Sequence, residues 1–523
     1  MADRPQPIAR TLALGGAPAA LLVALTLGTL VAVLARARGF SAIGPADLAA
    51  IRFTLWQASL SALLSALLAI PAARALARRR FPGRALLIAL LGAPFILPVI
   101  VAVIGLLAIF GRAGVLNQGI VALGLPPVSI YGLNGVVLAH VFFNLPLAIR
   151  LLLQAWLAIP AERFRLAASL GMGPAEVARF LERPMLRETL PGVFVAVFLI
   201  CLTSFAVALT LGGGPRATTV ELAIYQAFRF DFDLGRAALL GSVQVALCIV
   251  ASAMVLRLAA PSALGAGLDR SVARWDAAGG WLRAQDAIVL GLAAMFLIAP
   301  LAAVAIRGLP ALAGLPAPVW HAAGRSLAVA CGSAMLTIGI ALPLVLAIAR
   351  ARPDLARLLE TLAMLPLATS ALVLGTGLFL ILRPLADPAT LALPITACTN
   401  AVLALPFALR ILLPAARTVE ADFGRLADSL GMAGWTRLRL MTLPRLARPL
   451  RFAGGLAAAL SMGDLGVIAL FADPDGATLP LQLYRLMAAY RMEDAAGAAL
   501  LLLVLSFTLF WLIDKGGRPD APT

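Results

Sequence analysis

Residues able to do chemistry are scarce in this chain of 523 residues. The two histidines, His140 and His321, lie far apart with no cysteine or carboxylate at ligand spacing, so no metal site is expected. Cys201, Cys248, Cys331 and Cys398 each stand alone inside an apolar run, as small packing residues do. The single lysine, Lys515, excludes a P-loop, which needs Gly-x-x-x-x-Gly-Lys-Ser/Thr to hold phosphates. No nucleophile–base constellation appears, so the chain by itself is not expected to be an enzyme. What remains is polar groups within apolar runs, where desolvation is costly and a role is implied. Asp464, beside Ser461, Gly463 and Gly466, leads these; at the offset of the repeat described next it corresponds to Ser204. The glycines permit a break in a helix there, and an aspartate can cap one. Asn144, two residues before Pro146, and His140 one turn earlier complete the candidate solute path of His140, Asn144, Ser204, Ser461 and Asp464.

A second feature is a polar stretch that occurs twice. Arg165-Leu166-Ala167-Ala168-Ser169-Leu170-Gly171-Met172 returns at an offset of 260 as Arg425-Leu426-Ala427-Asp428-Ser429-Leu430-Gly431-Met432. Its chemistry reads as helix, stop, helix. Gly171 and Gly431 suit a left-handed C-cap, Pro174 suits the first turn of a second helix, and that helix is expected to finish before Pro184, or Pro444 in the second copy. Such an amphipathic element could rest on the membrane surface, but duplication at matched spacing favours docking into a groove of a partner.

These residues must be positioned by membrane spans. The composition is 62% hydrophobic and 13% charged, with mean hydropathy +0.98, far from the soluble average. Apolar runs of about 20 residues, without alternation, exclude a barrel and predict an all-α polytopic membrane protein of about 12 spans. They fall near 12–35, 53–76, 86–110, 132–157, 192–212 and 237–258, then near 286–307, 325–349, 360–382, 391–414, 452–472 and 496–514. Residues 1–258 and 286–523 read as two domains, joined by an exposed linker, 259–285. Further matches join the halves: Pro71 with Pro343 and Gly105 with Gly377, and, at the other offset, Pro146 with Pro406 and Arg150 with Arg410. An even number of spans per half leaves both in one orientation, with a pseudo-twofold axis along the membrane normal and a solute path on it. The net charge of +17 comes from arginines spread through loops, the pattern of a positive-inside bias rather than a nucleic-acid patch. That bias puts both termini, the linker and both repeated loops in the cytoplasm. The loops Gly212 to Arg236 and Ala472 to Asp494 then face outward, each with the makings of a short surface helix.

The repeated stretch resembles the loop of ATP-binding-cassette importer permeases in which a Glu-Ala-Ala…Gly…Leu-Pro pattern contacts the ATPase. Ala167, Ala427, Gly171, Gly431 and Pro444 agree with it. Arg165 and Arg425 stand at the usual glutamate, and Leu166 and Leu426 at the first alanine. Tyr131 to Asn144, Gly212 to Gln226, Ser461 to Asp464 and the Arg78 to Arg84 loop are similar to the fused permeases of bacterial thiamine importers. The resemblance implies two type I (MetI-like) permease domains in the inner membrane. It implies coupling helices that include Arg165, Ala167, Ser169, Gly171, Arg425, Ala427, Ser429 and Gly431. It also implies two copies of a separate ATPase that binds ATP and Mg, a periplasmic binding protein delivering thiamine or its phosphates, and no cofactor in this chain. Ferric-iron permeases share the architecture. A proton-coupled secondary transporter would carry ionisable residues across several spans, and here Asp464 is nearly alone.

Overall fold

The computed structural model describes residues 8–36, 43–258, 274–275 and 279–515, apart from positions 93, 95, 213, 215–216, 388–389 and 472–475. Most of the expected linker, the start of the second outer loop, and Gly213, Pro215 and Arg216 lie outside these. Among the described residues there is helix and no strand. Among the described residues, eleven helices are long and apolar enough to cross a membrane, or twelve if one sharply bent pair is counted as a single span.

The first half comprises α1 (Gly15–Arg36), α2 (Pro45–Arg78), α3 (Arg84–Leu90), α4 (Val99–Ala122) and α5 (Leu133–Ala158). It continues with α6 (Ala161–Ser169), α7 (Arg183–Leu202), α8 (Ala206–Leu211), α9 (Val220–Arg229) and α10 (Leu234–Leu258). The second half has α11 (Gly280–Ala311), α12 (Ala317–Arg350), α13 (Pro353–Ala363), α14 (Ala371–Leu382) and α15 (Ala392–Ser429). It ends with α16 (Leu443–Met462), α17 (Gly466–Phe471), α18 (Leu479–Ala488) and α19 (Met492–Lys515). Small residues let these helices approach closely: Ala58, Ala62, Ala69 and Ala73 of α2 are fully buried.

Two expectations change. The helix after each repeated stretch does not finish before Pro184 or Pro444. It runs on through a π-helical turn, Ala178–Glu182 and Leu438–Thr442, into α7 and α16. The wider turn accommodates prolines that have no N–H to give a regular helix. The spans expected at 192–212 and 452–472 are each broken, at 203–205 between α7 and α8 and at 463–465 between α16 and α17.

The halves exchange their first helices. α1 packs against α12 and α14 of the second half, and α11 packs against α2 and α4 of the first. Each crossing seats on one of the paired glycines. A Cβ on Gly105 would lie 2.5 Å from the Pro300 carbonyl oxygen of α11, and one on Gly377 would lie 2.6 Å from the Thr29 carbonyl oxygen of α1. A buried ion cluster fixes the second exchange: Arg78 grips Asp286 of α11 through two hydrogen bonds, of 2.8 and 2.5 Å, and Arg79 adds a third at 2.6 Å.

Gly105→Val and Gly377→Val should each destabilise the purified protein by the ~1–3 kcal/mol of an overpacked core, read as a lower thermal unfolding midpoint. Gly339→Ala, where an added Cβ meets nothing within 4 Å, should not lower it.

Candidate functional site

The first repeated stretch forms α6, which closes as its glycine requires. Gly171 adopts φ +66°, and the Met172 N–H donates back to the Ala167 carbonyl oxygen at 3.1 Å. Gly431 has the same φ, with Met432 donating to Ala427 at 2.9 Å. Ala167 and Ala427 are buried against their own bundle, whereas Leu166, Leu170, Leu426 and Leu430 are each more than half exposed. The Ser169 and Ser429 hydroxyls donate to the carbonyl oxygens of Leu166 and Leu426, capping the helix from within. Arg165 pairs with Glu162 at the surface, and Arg425 is exposed. Each copy therefore offers a small apolar ridge beside an arginine.

The supports behind the two ridges differ. In the first half Pro160 separates α6 from α5; in the second the corresponding residue is Glu420, and α15 runs unbroken through the stretch. Glu182, buried behind the first ridge, forms ion pairs of 2.8 Å with Arg74 of α2 and Arg274, and accepts from Trp156 Nε1 at 3.3 Å. Arg274 also lies over the Phe164 ring, 5.0 Å from its centroid, while Trp275 Nε1 donates to the Met172 carbonyl oxygen at 3.1 Å. The stretch expected to be an exposed linker thus straps the first ridge through these two residues. Behind the second ridge, Arg437 bridges Asp428 and Glu420, and Arg350 holds Glu420 from α12.

The candidate path residues fall into two groups. In the first half His140 meets Ser61 of α2 (Nδ1 to Oγ, 3.3 Å), and Asn144 donates to the His140 carbonyl oxygen and to Cys201 Sγ. In the second half Asn400 donates to Ser461 Oγ at 3.0 Å, and Asp464 Oδ1 accepts from the Gly466 N–H at 3.2 Å, capping α17 across the break. Ser204 lies half-buried in the opposite break. The breaks themselves converge. The third spans are also interrupted, between α3 and α4 and between α13 and α14. A Cβ on Gly463 would lie 3.1 Å from Cα of Pro98, where α4 begins. One on Gly466 would lie 3.5 Å from Ala371, where α14 begins, and 3.8 Å from Phe205 of the first half. Non-helical backbone at membrane depth persists only inside protein or along a cavity, so the four interruptions share one protected seam.

Aromatic rings close that seam on the side of α9. Phe228 packs edge-on to Phe379 with centroids 4.6 Å apart, Phe379 lies 6.0 Å from Phe471, and Phe205 meets Tyr225 at 5.2 Å. On the same face of α9 sits Glu221, 1% exposed, beside the Ser370 and Gln244 side chains, with Oε1 lacking a hydrogen-bond partner among the described residues. Burial pushes its carboxyl up to about 8, against an ordinary 4.5. Sequence reasoning passed over Glu221 as part of an outer loop. The signal was its place at i, i+3, i+4, i+7 with Ile224, Tyr225 and Phe228, an acid on an apolar helical stripe.

Comparison with known proteins agrees with this architecture. The profile of the family described as binding-protein-dependent transport system inner membrane component matches residues 339–515. The chain is 42% identical over 513 residues to the thiamine transport system permease protein ThiP of Brucella abortus, covering 96% of this chain and 94% of that protein. It is 44% identical over 476 residues to ThiP of Salmonella typhimurium, and 43% identical over 481 residues to ThiP of Escherichia coli, covering in each case 89% of this chain and 88% of the relative.

Because Glu221 keeps its proton when folded and releases it near the ordinary value when unfolded, stability should fall as pH rises from 4.5 to about 8. Glu221→Gln should remove this contribution, so that thermal midpoints of variant and wild type diverge toward pH 8, with the variant higher. A constant difference between pH 5 and pH 8 would contradict the assignment.

Proposed function

Since the chain belongs to the family of the ThiP thiamine transport permeases, we propose that it carries thiamine or its phosphates along the seam between its halves, in steps powered by a separate ATPase. It is the inner-membrane, multi-pass permease subunit of a binding-protein-dependent ABC importer, and an ATPase and a substrate-binding protein are its partners. The observation that carries the solute path is the convergence of four span interruptions on one seam, with half-buried Asp464 and buried Glu221 near it and neither ion-paired among the described residues. Two acids of this kind suit thiamine, whose thiazolium ring is a fixed cation and would favour release of the Glu221 proton on approach.

Residues 1–258 and 286–523 act as two permease domains about an axis along the membrane normal, with both termini in the cytoplasm. The ridges at Arg165 to Gly171 and Arg425 to Gly431 each receive one copy of the ATPase. Exposed Leu166, Leu170, Leu426 and Leu430 supply the apolar contact, Arg165 and Arg425 the charge at its edge, and Ser169, Ser429, Gly171 and Gly431 the turn that shapes it. Ala167 and Ala427 act from behind, seating each ridge on its bundle. ATP and Mg are held by that partner, because a chain with Lys515 as its single lysine cannot build a P-loop. Approach of the two ATPase copies moves the ridges, and the stiff helices behind them transmit the movement to the breaks. Solute and nucleotide are coupled only insofar as each binds the outward- and inward-facing states with different affinity. His140, Asn144, Ser204 and Ser461 contribute polar groups beside the path.

In vesicles holding the permease, its ATPase and its binding protein, labelled thiamine uptake should require ATP. Uptake that persists when the ATPase is omitted would sink the proposal. Gly171→Pro combined with Gly431→Pro should cut uptake at least about tenfold by losing docking worth ~1.4 kcal/mol or more, whereas Arg165→Ala with Arg425→Ala should be milder.

A further inference from the structure

A groove of about 550 Å³ opens where α11 of the second half passes the loop between α2 and α3 of the first. Its mouth carries Arg79, Arg80 and Arg283, with Asp286 behind Arg79. Among the described lining residues the mouth holds three arginines and one aspartate. Arg283 is exposed, and its side chain makes no hydrogen bond or ion pair among the described residues. Below the mouth the walls are apolar, with Leu86, Leu90 and Leu290 followed by Ile298. Leu86 is 74% exposed, so the groove opens sideways rather than into the bundle. Its floor is the small-residue face of α11, where Ala287, Gly291 and Ala294 leave room; an added Cβ on Gly291 meets nothing within 4 Å.

Below Arg283 the apolar lining runs along one face of α11 from Ala287 to Ile298, about 16 Å of helix. One leaflet of hydrocarbon is about 15 Å deep, half of a ~30 Å core. A positive mouth above an apolar slot of that length matches one kind of molecule. We infer that this groove binds a phospholipid with an anionic headgroup, its phosphate at Arg80 and Arg283 and one acyl chain along Ala287, Gly291 and Ala294. Basic pockets between spans on the cytoplasmic side are suited to anionic headgroups, whose leaflet is negatively charged. The mouth lies on the side of the coupling ridges, because Arg74, one turn before Arg78, pairs with Glu182 behind the first ridge. Placing it in the cytoplasmic leaflet rests on the proposed function; binding of the lipid does not. The other exchanged helix is tightly packed at this level, where a Cβ on Gly15 of α1 would lie 2.5 Å from the Ala347 Cβ of α12.

The occupant also has an effect. Its phosphate would sit beside Arg79, next to the Asp286 cluster that fastens α11 to the first half, so lipid should strengthen the junction between the halves. The test uses the purified full chain, delipidated in detergent and then offered phosphatidylglycerol or phosphatidylcholine of the same acyl chains. Retained lipid is read by native mass spectrometry and the junction by the thermal midpoint. Wild type should retain phosphatidylglycerol preferentially and gain midpoint from it. Arg283→Gln should weaken retention about fivefold, the effect of one arginine near an anionic surface, while Arg283→Lys keeps it. Gly291→Phe, with every arginine intact, should remove retention by filling the slot, which covers the case in which Arg283→Gln fails to fold. Equal retention of the two lipids, unchanged retention in both Arg283→Gln and Gly291→Phe, or an equal gain in midpoint from glycerol 1-phosphate without acyl chains would overturn the assignment. Because no arm measures transport, loss of thiamine uptake and loss of lipid binding are separable outcomes.

Discussion

A peptide group that leaves a helix inside a bilayer has no water to turn to, and leaving it unsatisfied costs several kcal/mol. The architecture follows from that constraint. Four spans are interrupted, and each interruption needs protein around it. They are sheltered together, Pro98 against Gly463 and Ala371 and Phe205 against Gly466, and the shared shelter is the seam between the halves. Asp464 supplies the missing acceptor at one break by taking the Gly466 N–H. The exchanged helices then close the flanks, which they can do only because Gly105 and Gly377 let backbone approach backbone.

Duplication sets the layout but not the electrostatics. Arg78 and Arg350 occupy corresponding places, yet Arg78 reaches across to Asp286 of the other half while Arg350 stays within its own, on Glu420. One ridge is backed by a buried glutamate drawing on two arginines; the other is backed by a buried arginine drawing on two carboxylates. Buried ion pairs are weak evidence of stability, since desolvation offsets much of the attraction. Their use here is better described as fixing register: each cluster holds one ridge at one angle. The seam is unequal as well, with Glu221 where the second half has Pro480, and Asp464 where the first has Ser204.

Much of this was legible in the chain. The spans followed from apolar runs, and the helix-stop-helix turn from the glycine and proline spacing around Gly171. The helix break was legible at Asp464, where glycines flank an acid. The break at Ser204 was not, because Thr203-Ser204-Phe205 carries no residue that forbids a helix; only packing across the seam reveals it. The π-helical turns were hidden for a related reason, as a proline announces that a regular helix must yield but not how. The arginines at 74, 78 and 79 read as members of a positive-inside cluster, but their pairing with Glu182 and Asp286 depends on partners over 100 residues away. Charge counting sees the sign of such residues and is blind to their contacts.

The exchange of first helices imposes an order in time. Gly105 is synthesised long before Pro300, the group that fills its seat, and at roughly 5–20 residues per second the wait is about 10–40 s. Thr29 waits longer still for Gly377. During that interval the nascent first half stands in the membrane with a glycine-lined notch open to lipid and with Arg78 lacking its aspartate. Joining both halves in one polypeptide limits the wait to the time of translation. Were the halves separate chains, each notch would stay open until a diffusing partner arrived.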